Sequence, residues 1–149
     1  MITVTMATVI ESEAKRVWRA ITDPSEIVAW DERMLAPADD LTLYPISGQH
    51  ARWRYRLGSI QLVMHDRPLE IEPPRRLRSR MSAGSIGYER TFTLQPESPQ
   101  RTRLSMRLIS ASSIPLIGES IDRFEVRQMS TEQVDGTLRA VQKWCQEHP

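Results

Sequence analysis

One arginine stands out among the residues that could do chemistry, because it interrupts an apolar strand face. Tyr88, Arg90, Phe92 and Leu94 alternate along the chain at the spacing that places side chains on one face of a strand. A buried guanidinium must be paired, so Arg90 is a candidate to bind a carboxylate or an enolic oxygen of a ligand. The alternative is that Arg90 pairs with an internal acid such as Glu125, or extends to the mouth of a cavity. The sequence leaves both interpretations open.

The histidines give no catalytic or metal-binding pattern. His65 and Asp66 are adjacent, so their side chains point to opposite faces of a strand and cannot form a dyad; we expect His65 on the outer face. His50 is predicted in a turn, and His148 lies near the end of the sequence. The sequence has no legible Ser-His-Asp arrangement, glycine-rich phosphate loop or metal-ligand spacing. We therefore predict no metal and no cofactor, and we assign no catalytic residue.

Composition predicts a single soluble domain over residues 1–149. The hydrophobic fraction is 40% and the charged fraction 26%, which is ordinary for a globular protein. No apolar run approaches the roughly 18 residues of a membrane span, and no signal peptide is visible, so we expect no membrane insertion. The lone Cys145 cannot form an internal disulfide, which favours a reducing cytoplasm.

The basic residues are unevenly distributed. Eighteen of the 20 are arginines, and twelve of these fall between Arg52 and Arg107. A net charge of +1 provides no global field for nucleic acid, and arginines on a solvated sheet face need no partner. We therefore predict that the protein does not bind nucleic acid.

Helical patterns follow one N-terminal strand. Residues 1–11 are rich in β-branched side chains, which favours a strand. Ser12 is a candidate cap for a first short helix, and Asp23 with Pro24 marks the start of a second; together the two helices span residues 12–33. Residues 35–40 are predicted to be a loop, because they contain Pro37 and two aspartates.

The hydrophobic period then changes to two, which predicts six successive strands. They cover residues 41–44, 51–57, 60–65, 77–81, 86–94 and 104–108, joined by turns into an antiparallel meander. In the second of them Arg52, Arg54 and Arg56 are predicted to face solvent, opposite the apolar side chains.

The chain is predicted to end in a long helix over residues 116–146. Its second half has an apolar stripe made of Val134, Leu138, Val141 and Cys145, and its first half a stripe made of Ile117, Ile121 and Phe124. The two stripes differ by roughly a quarter turn, so we expect a kink between about residues 125 and 133.

Three segments resemble the START-like superfamily, which includes polyketide cyclase/dehydrase-like and birch-pollen-allergen-like proteins. They are ATVIESEAKRVWRAITDPSEIVAW at residues 7–30, LEIEPPRRLRSRM at residues 69–81 and IPLIGESIDRFEVRQMSTEQVDGTLRAVQKWCQE at residues 114–147. The resemblance covers nearly the whole chain and implies an α+β helix-grip fold. In that fold a curved seven-stranded antiparallel sheet (one strand, two short helices, then six strands) wraps around the long C-terminal helix.

The resemblance also implies an internal cavity between the sheet and the long helix. We expect it to bind a small hydrophobic molecule of lipid, polyketide, aromatic or isoprenoid type. The candidate ligand-binding residues are Trp53, Tyr55, Met64, Met81, Tyr88, Arg90, Phe92, Met106, Ile121 and Phe124. Two alternatives stay open: a cyclase/dehydrase-like or hydrolase-like enzyme that uses the same cavity, and a co-chaperone-type interaction module. The oligomeric state, monomer or homodimer, is also open.

Overall fold

A computed structural model describes residues 1–116 and 119–149 of the protein, with the side chains of residues 114–121 outside the description. The main sheet contains β1 (Ile2–Ile10), β2 (Met34–Pro37), β3 (Ala51–Leu57), β4 (Ile60–Glu72), β5 (Arg76–Ala83), β6 (Ile86–Ser98) and β7 (Arg101–Ser110). A small ribbon pairs β8 (Ile114–Leu116) with β9 (Glu119–Ile121). The helices are α1 (Ala14–Thr22), α2 (Pro24–Trp30) and α3 (Arg123–Glu147). Among the described residues, no helix combines the length and apolarity needed to cross a membrane.

The seven main strands form one curved antiparallel sheet, as predicted. Their order is β1-β7-β6-β5-β4-β3-β2, so β2 to β7 follow one another as a meander and β1 closes the far edge beside β7. Gly58 and Gly84 occupy the β3–β4 and β5–β6 turns with φ of +62° and +58°, a backbone conformation that glycine adopts without steric cost.

The predicted strand phase is confirmed by burial. Arg52, Arg54 and Arg56 are exposed on β3, whereas Trp53 and Tyr55 between them are buried. Alternation of this kind assigns one face of a sheet to the core and the other to solvent. The apolar face of the sheet is therefore the one that meets the long helix.

The order of one strand, two short helices and six strands is confirmed, but the first of the six strands lies elsewhere than predicted. It is Met34–Pro37, inside the predicted loop, and it pairs with β3. Residues 41–44 are outside the sheet, although Leu41 and Tyr44 are buried. The two buried side chains are three residues apart and Leu43 is 74% exposed, so burial in this segment does not follow the alternation of a strand.

Two helix starts also differ from the sequence prediction, and one agrees with it. Ser12 is no cap: α1 begins after Glu13, and the backbone carbonyl of Ser12 accepts a hydrogen bond from Thr102 Oγ1 at 2.8 Å. The cap predicted at Asp23 is confirmed, since its side chain accepts from the Ser25 amide at 2.9 Å. The long helix begins at Arg123 rather than near residue 116, with Asp122 capping the Glu125 amide at 2.9 Å.

The later start of α3 removes the reason for a kink. Of the first predicted stripe, Ile121 belongs to β9 and Phe124 to the first turn of α3, while residue 117 lies outside the described residues, so Ile121 and Phe124 do not share one helix. The second stripe is confirmed: all four of its members are buried, and the same line extends back to Val126. Helix α3 packs this stripe against β1 and β7.

Candidate functional site

A cavity lies beside the packed stripe of α3, over the middle strands of the sheet. Its volume is about 310 Å³, at the low end of the roughly 300–1,000 Å³ typical of small-molecule sites. One wall comes from the sheet and a second from the end of α2 and the start of β2. The third wall is a face of α3. The lining residues are Trp30, Asp31, Glu32, Arg33, Met34, Tyr55, Met81, Tyr88, Arg90, Glu132, Gln133, Gly136, Thr137 and Ala140.

Arg90 is the buried cation of this cavity. Its side chain is 8% exposed, and its guanidinium carbon lies 4.8 Å from the centre of the Phe92 ring, a cation–π contact. Its Nε is buried, and within the described part of the chain it has no hydrogen-bond partner. A buried donor without a partner carries a free-energy cost that a suitably placed acceptor would remove.

A buried carboxylate lies near Arg90 on the same face of the sheet. Asp66 is fully buried, and its Oδ2 accepts hydrogen bonds from the Tyr44 hydroxyl at 2.6 Å and from Trp53 Nε1 at 3.2 Å. Burial raises the pKa of Asp66, against the opposing charge of Arg90 and the two donors. The neighbouring Asp66 and Tyr44 in turn help to raise the pKa of Arg90 against the effect of its burial.

A second carboxylate, Asp31, lines the cavity itself. It follows the last turn of α2, and its Oδ1 accepts a hydrogen bond from the Arg33 amide at 3.0 Å. Burial raises the pKa of Asp31, while the Arg33 amide and the charge of Arg90 oppose that rise. Asp31 and Arg90 thus place a carboxyl group and a permanently charged guanidinium in the lining of one cavity.

Two tyrosines add both polar groups and apolar rings to the wall from the sheet. Tyr88 accepts a hydrogen bond at its hydroxyl oxygen from Gln133 Nε2 at 3.2 Å, which links β6 to α3 across the cavity. Burial raises the pKa of Tyr88 to about 12 and also raises the pKa of Tyr55, so both hydroxyls are neutral donors at neutral pH. Each places a polar tip on a large apolar ring, which suits a site that must orient a guest.

The wall from α3 is formed by a face next to the buried stripe. Glu132, Gly136 and Ala140 recur at intervals of four and so lie on one side of the helix. Gly136 is the smallest of them, and a Cβ added there would meet no heavy atom within 4 Å. Gly136 is itself exposed, so the open space over it lies at the mouth of the cavity.

The ten residues predicted to bind the ligand divide into three groups. Tyr55, Met81, Tyr88 and Arg90 line the cavity. The next group is packed in the core, no more than 1% exposed, and consists of Trp53, Met64, Phe92 and Met106. Of the other two, the side chain of Ile121 lies outside the described residues, and Phe124 is 74% exposed on the first turn of α3. The sequence prediction started the long helix too early, at residue 116, and therefore placed Phe124 on its inward face.

The internal acid proposed for Arg90 was the wrong one. Glu125 is exposed in the first turn of α3, whereas the acids whose charges act on Arg90 are Asp66 and Asp31. Asp66 could have been found from the sequence, because it is in phase with Met64 on an apolar strand face. Asp31 gives no such signal, since it follows a short helix and reaches the cavity only through the tertiary fold.

The two central histidines lie on the outer face of the sheet, as predicted for His65. His50 Nε2 and His65 Nδ1 are 2.7 Å apart, in hydrogen-bond contact. Among the described residues, no group of three or more His, Cys, Asp or Glu side chains is arranged to hold a metal ion.

Comparison with known proteins identifies one family and many similar folds. Residues 1–143 match the family model described as polyketide cyclase / dehydrase and lipid transport. The comparison with curated proteins gives no match. The family match agrees with the resemblance to START-like proteins, and it covers the sheet and nearly all of α3.

Solved structures with the same fold are distant in sequence. A START superfamily protein from Mycobacterium smegmatis has a TM-score of 0.81 at 12% identity, covering 99% of each chain. A protein from Mesorhizobium loti has a TM-score of 0.75 at 18% identity, again over 99% of each chain. A protein from Rhodobacter sphaeroides has a TM-score of 0.72 at 19% identity over 99% of this chain and 93% of that one. At these identities the likeness concerns the fold alone.

Proposed function

Because the chain belongs to the polyketide cyclase / dehydrase and lipid transport family, we propose that it binds a small, largely apolar molecule in the cavity beside α3, with an oxygen atom of that molecule at Arg90. The observation that carries the proposal is a buried guanidinium that lines the cavity and forms no ion pair among the described residues. An oxygen acceptor on a guest would pair with the part of the guanidinium that faces the cavity.

The size and lining of the cavity indicate the kind of guest. A volume of about 310 Å³ suits an aromatic or isoprenoid molecule of one to three rings better than a two-chain lipid, given that sites for drug-sized ligands span roughly 300–1,000 Å³. Met34, Met81 and the rings of Tyr55 and Tyr88 supply apolar surface. Methionine adapts its shape to irregular guests, so the wall tolerates more than one ring system.

An enzymatic role in the same cavity is the second candidate. It is favoured by one specific observation: Asp31, an acid whose pKa is raised by burial, lines the same cavity as Arg90 and two tyrosyl hydroxyls. A carboxyl group with a raised pKa can act as a general acid or base, and a guanidinium can stabilise an enolate oxygen. Turnover of a guest that binds tightly would distinguish catalysis from binding alone.

Binding can be tested with a variant that places a larger side chain of α3 at the cavity. We expect wild-type protein to bind the neutral fluorescent probe N-phenyl-1-naphthylamine (NPN), and Gly136→Leu to lose at least ten-fold in affinity, because the new side chain occupies the space over residue 136. Leucine also has a better helix propensity than glycine, so the variant should fold at least as stably as the wild type.

Lys143→Leu is the matched control for this experiment. Residue 143 is exposed on the same helix, two turns beyond residue 136 and outside the cavity lining. It adds the same apolar side chain without filling the cavity, so NPN affinity should stay within two-fold of wild type. Equal NPN affinity in folded Gly136→Leu and in wild type would contradict the proposal.

A further inference from the structure

Arg90 is surrounded by acidic side chains, which disfavours an anionic guest. Asp66 lies on β4, two strands from β6, in line with Met81 and Tyr88 rather than with Arg90, and it acts electrostatically on Arg90. Asp31 stands on the cavity wall and also acts electrostatically on Arg90. Two carboxyl groups therefore already act electrostatically on this guanidinium in the protein itself.

The mouth of the cavity adds no surplus of positive charge. Arg33 lines it together with the exposed side chains of Glu32 and Glu132. Counting Asp31 and Arg90, the lining holds three acids and two arginines. An entering carboxylate would lie beside Asp31 or would force one of the two groups to take up a proton, and either outcome lowers its affinity.

The hydrogen-bonding groups of Arg90 and Asp31 suit a guest that can both donate and accept a hydrogen bond. The guanidinium of Arg90 lines the cavity, and it can only donate hydrogen bonds. Asp31 presents a carboxylate to the same cavity from the adjoining wall, and an ionised carboxylate only accepts. A hydroxyl group both accepts and donates, so one hydroxyl can satisfy both side chains, whereas a carboxylate satisfies only Arg90.

We infer that the cavity selects a neutral hydroxylated guest, a phenol, enol or alcohol, over the corresponding carboxylate, with Arg90 donating to the hydroxyl oxygen and Asp31 accepting its hydrogen. This inference rests on the proposed binding function and names its ligand class. Asp31 is then the specificity-determining residue, because it is the acceptor that only a donor-bearing guest can use.

Three probes of one shape test the inference by displacement of NPN at pH 7. They are 2-naphthol, 2-naphthoate and 2-methylnaphthalene, which differ only in the group offered to Arg90. For the wild type we expect 2-naphthol to bind at least ten-fold more tightly than 2-naphthoate and more tightly than 2-methylnaphthalene. Naphthoate binding equal to or tighter than naphthol would overturn the inference and leave the proposed apolar site standing. Failure of all three to displace NPN would overturn both.

A charge variant makes the assignment to Asp31 specific. In Asp31→Asn we expect 2-naphthoate to bind at least ten-fold more tightly than it does to the wild type, so that the preference for naphthol disappears. Glu147→Gln removes the same charge from the exposed end of α3 and should leave the preference unchanged. If Glu147→Gln abolishes the preference as strongly as Asp31→Asn does, net charge rather than Asp31 sets it, and the assignment fails. The comparison of probes on the wild type needs no variant, so it holds even if Asp31→Asn folds poorly.

Discussion

The two halves of the space between the sheet and α3 differ sharply, although one sheet and one helix form both. Over β1 and β7 the helix presents Val134, Leu138, Val141 and Cys145, all at most 3% exposed, and the space is closed. Over β3, β5 and β6 the same helix presents Gln133, Gly136 and Thr137, and a cavity of about 310 Å³ stays open. We call these regions the packed half and the hollow half.

The difference teaches that the cavity follows polarity as well as side-chain size. In the hollow half the sheet carries Arg90, Tyr55 and Tyr88, and their polar atoms need partners that aliphatic packing cannot supply. In the packed half β7 contributes Leu104, Met106 and Leu108, which interlock with the helix as an ordinary core. A guest with a polar atom of its own would give the polar side chains of the hollow half a hydrogen-bond partner. The packed half has no such requirement.

The largest expected effect comes from removing the cation of the hollow half. Arg90→Met removes the positive charge that acts on the buried Asp66. No ion pair joins the two side chains among the described residues, so we expect a loss of unfolding free energy near the lower end of the roughly 3–5 kcal/mol that breaking a direct buried pair costs. Urea unfolding at pH 7 measures it. Asp66→Asn added to Arg90→Met should recover part of the loss, because no buried charge is then left unpaired.

Arg107→Met is the control for that experiment. It removes an exposed arginine from the outer face of β7 and should change stability by no more than about 0.5 kcal/mol. A loss at Arg90 as small as the loss at Arg107 would mean that Arg90 does not balance Asp66, and the electrostatic account of the hollow half would be wrong.

A smaller effect is expected from overfilling the packed half. Met106 is 1% exposed on β7, so Met106→Trp has no space to occupy and should cost about 1–3 kcal/mol, the usual range for overpacking. NPN affinity should stay within two-fold of wild type, measured by fluorescence titration below the melting temperature. Loss of NPN binding in a folded Met106→Trp protein would show that the guest occupies the half described here as packed.

The pH dependence of stability offers a more delicate test of Asp66. Burial raises the pKa of Asp66 in the folded protein, so the folded state holds its proton more tightly than the unfolded chain. Stability from this group is therefore fully present below the unfolded pKa, about 3.8, and falls as pH rises through the window above it. Relative to Asp66→Asn, which cannot titrate, the wild type should lose unfolding free energy between about pH 4 and pH 7. A relative gain over that window would contradict the raised pKa.

The sequence predicted the packed half better than the hollow half. Alternation on β3 and the stripe on α3 are repeated, local signals, so the strand phase and the four stripe residues were predicted correctly. The start of α3 was predicted wrongly, because the spacing of the apolar residues in the ribbon before it resembles that of a helix. Asp122, which caps the helix, was the sequence signal that marked the true start. Periodicity predicts which side chains are buried, but it does not predict whether the space next to them is filled or open.

The hollow half depends on relations that periodicity does not encode. Arg90 was identified because a charge on an apolar face is unusual, and Asp66 could have been identified by the same rule. Asp31 and Gly136 come from the end of one helix and the middle of another, and only the tertiary fold brings them to one cavity. Met106 and Phe92 were predicted to bind the ligand because they lie on the apolar face of the sheet. They do lie on that face, but they are packed in the closed core.

The central claim, that the hollow half binds a guest and the packed half does not, can be tested residue by residue. Titration of isotope-labelled protein with 2-naphthol, followed by amide chemical shifts in two-dimensional NMR, reports both halves at once. The account predicts saturable shifts at Asp31, Tyr55, Tyr88 and Thr137, with Leu104 and Leu108 nearly unchanged. Shifts centred on β1 and β7, or on the outer face around Arg54, would contradict it.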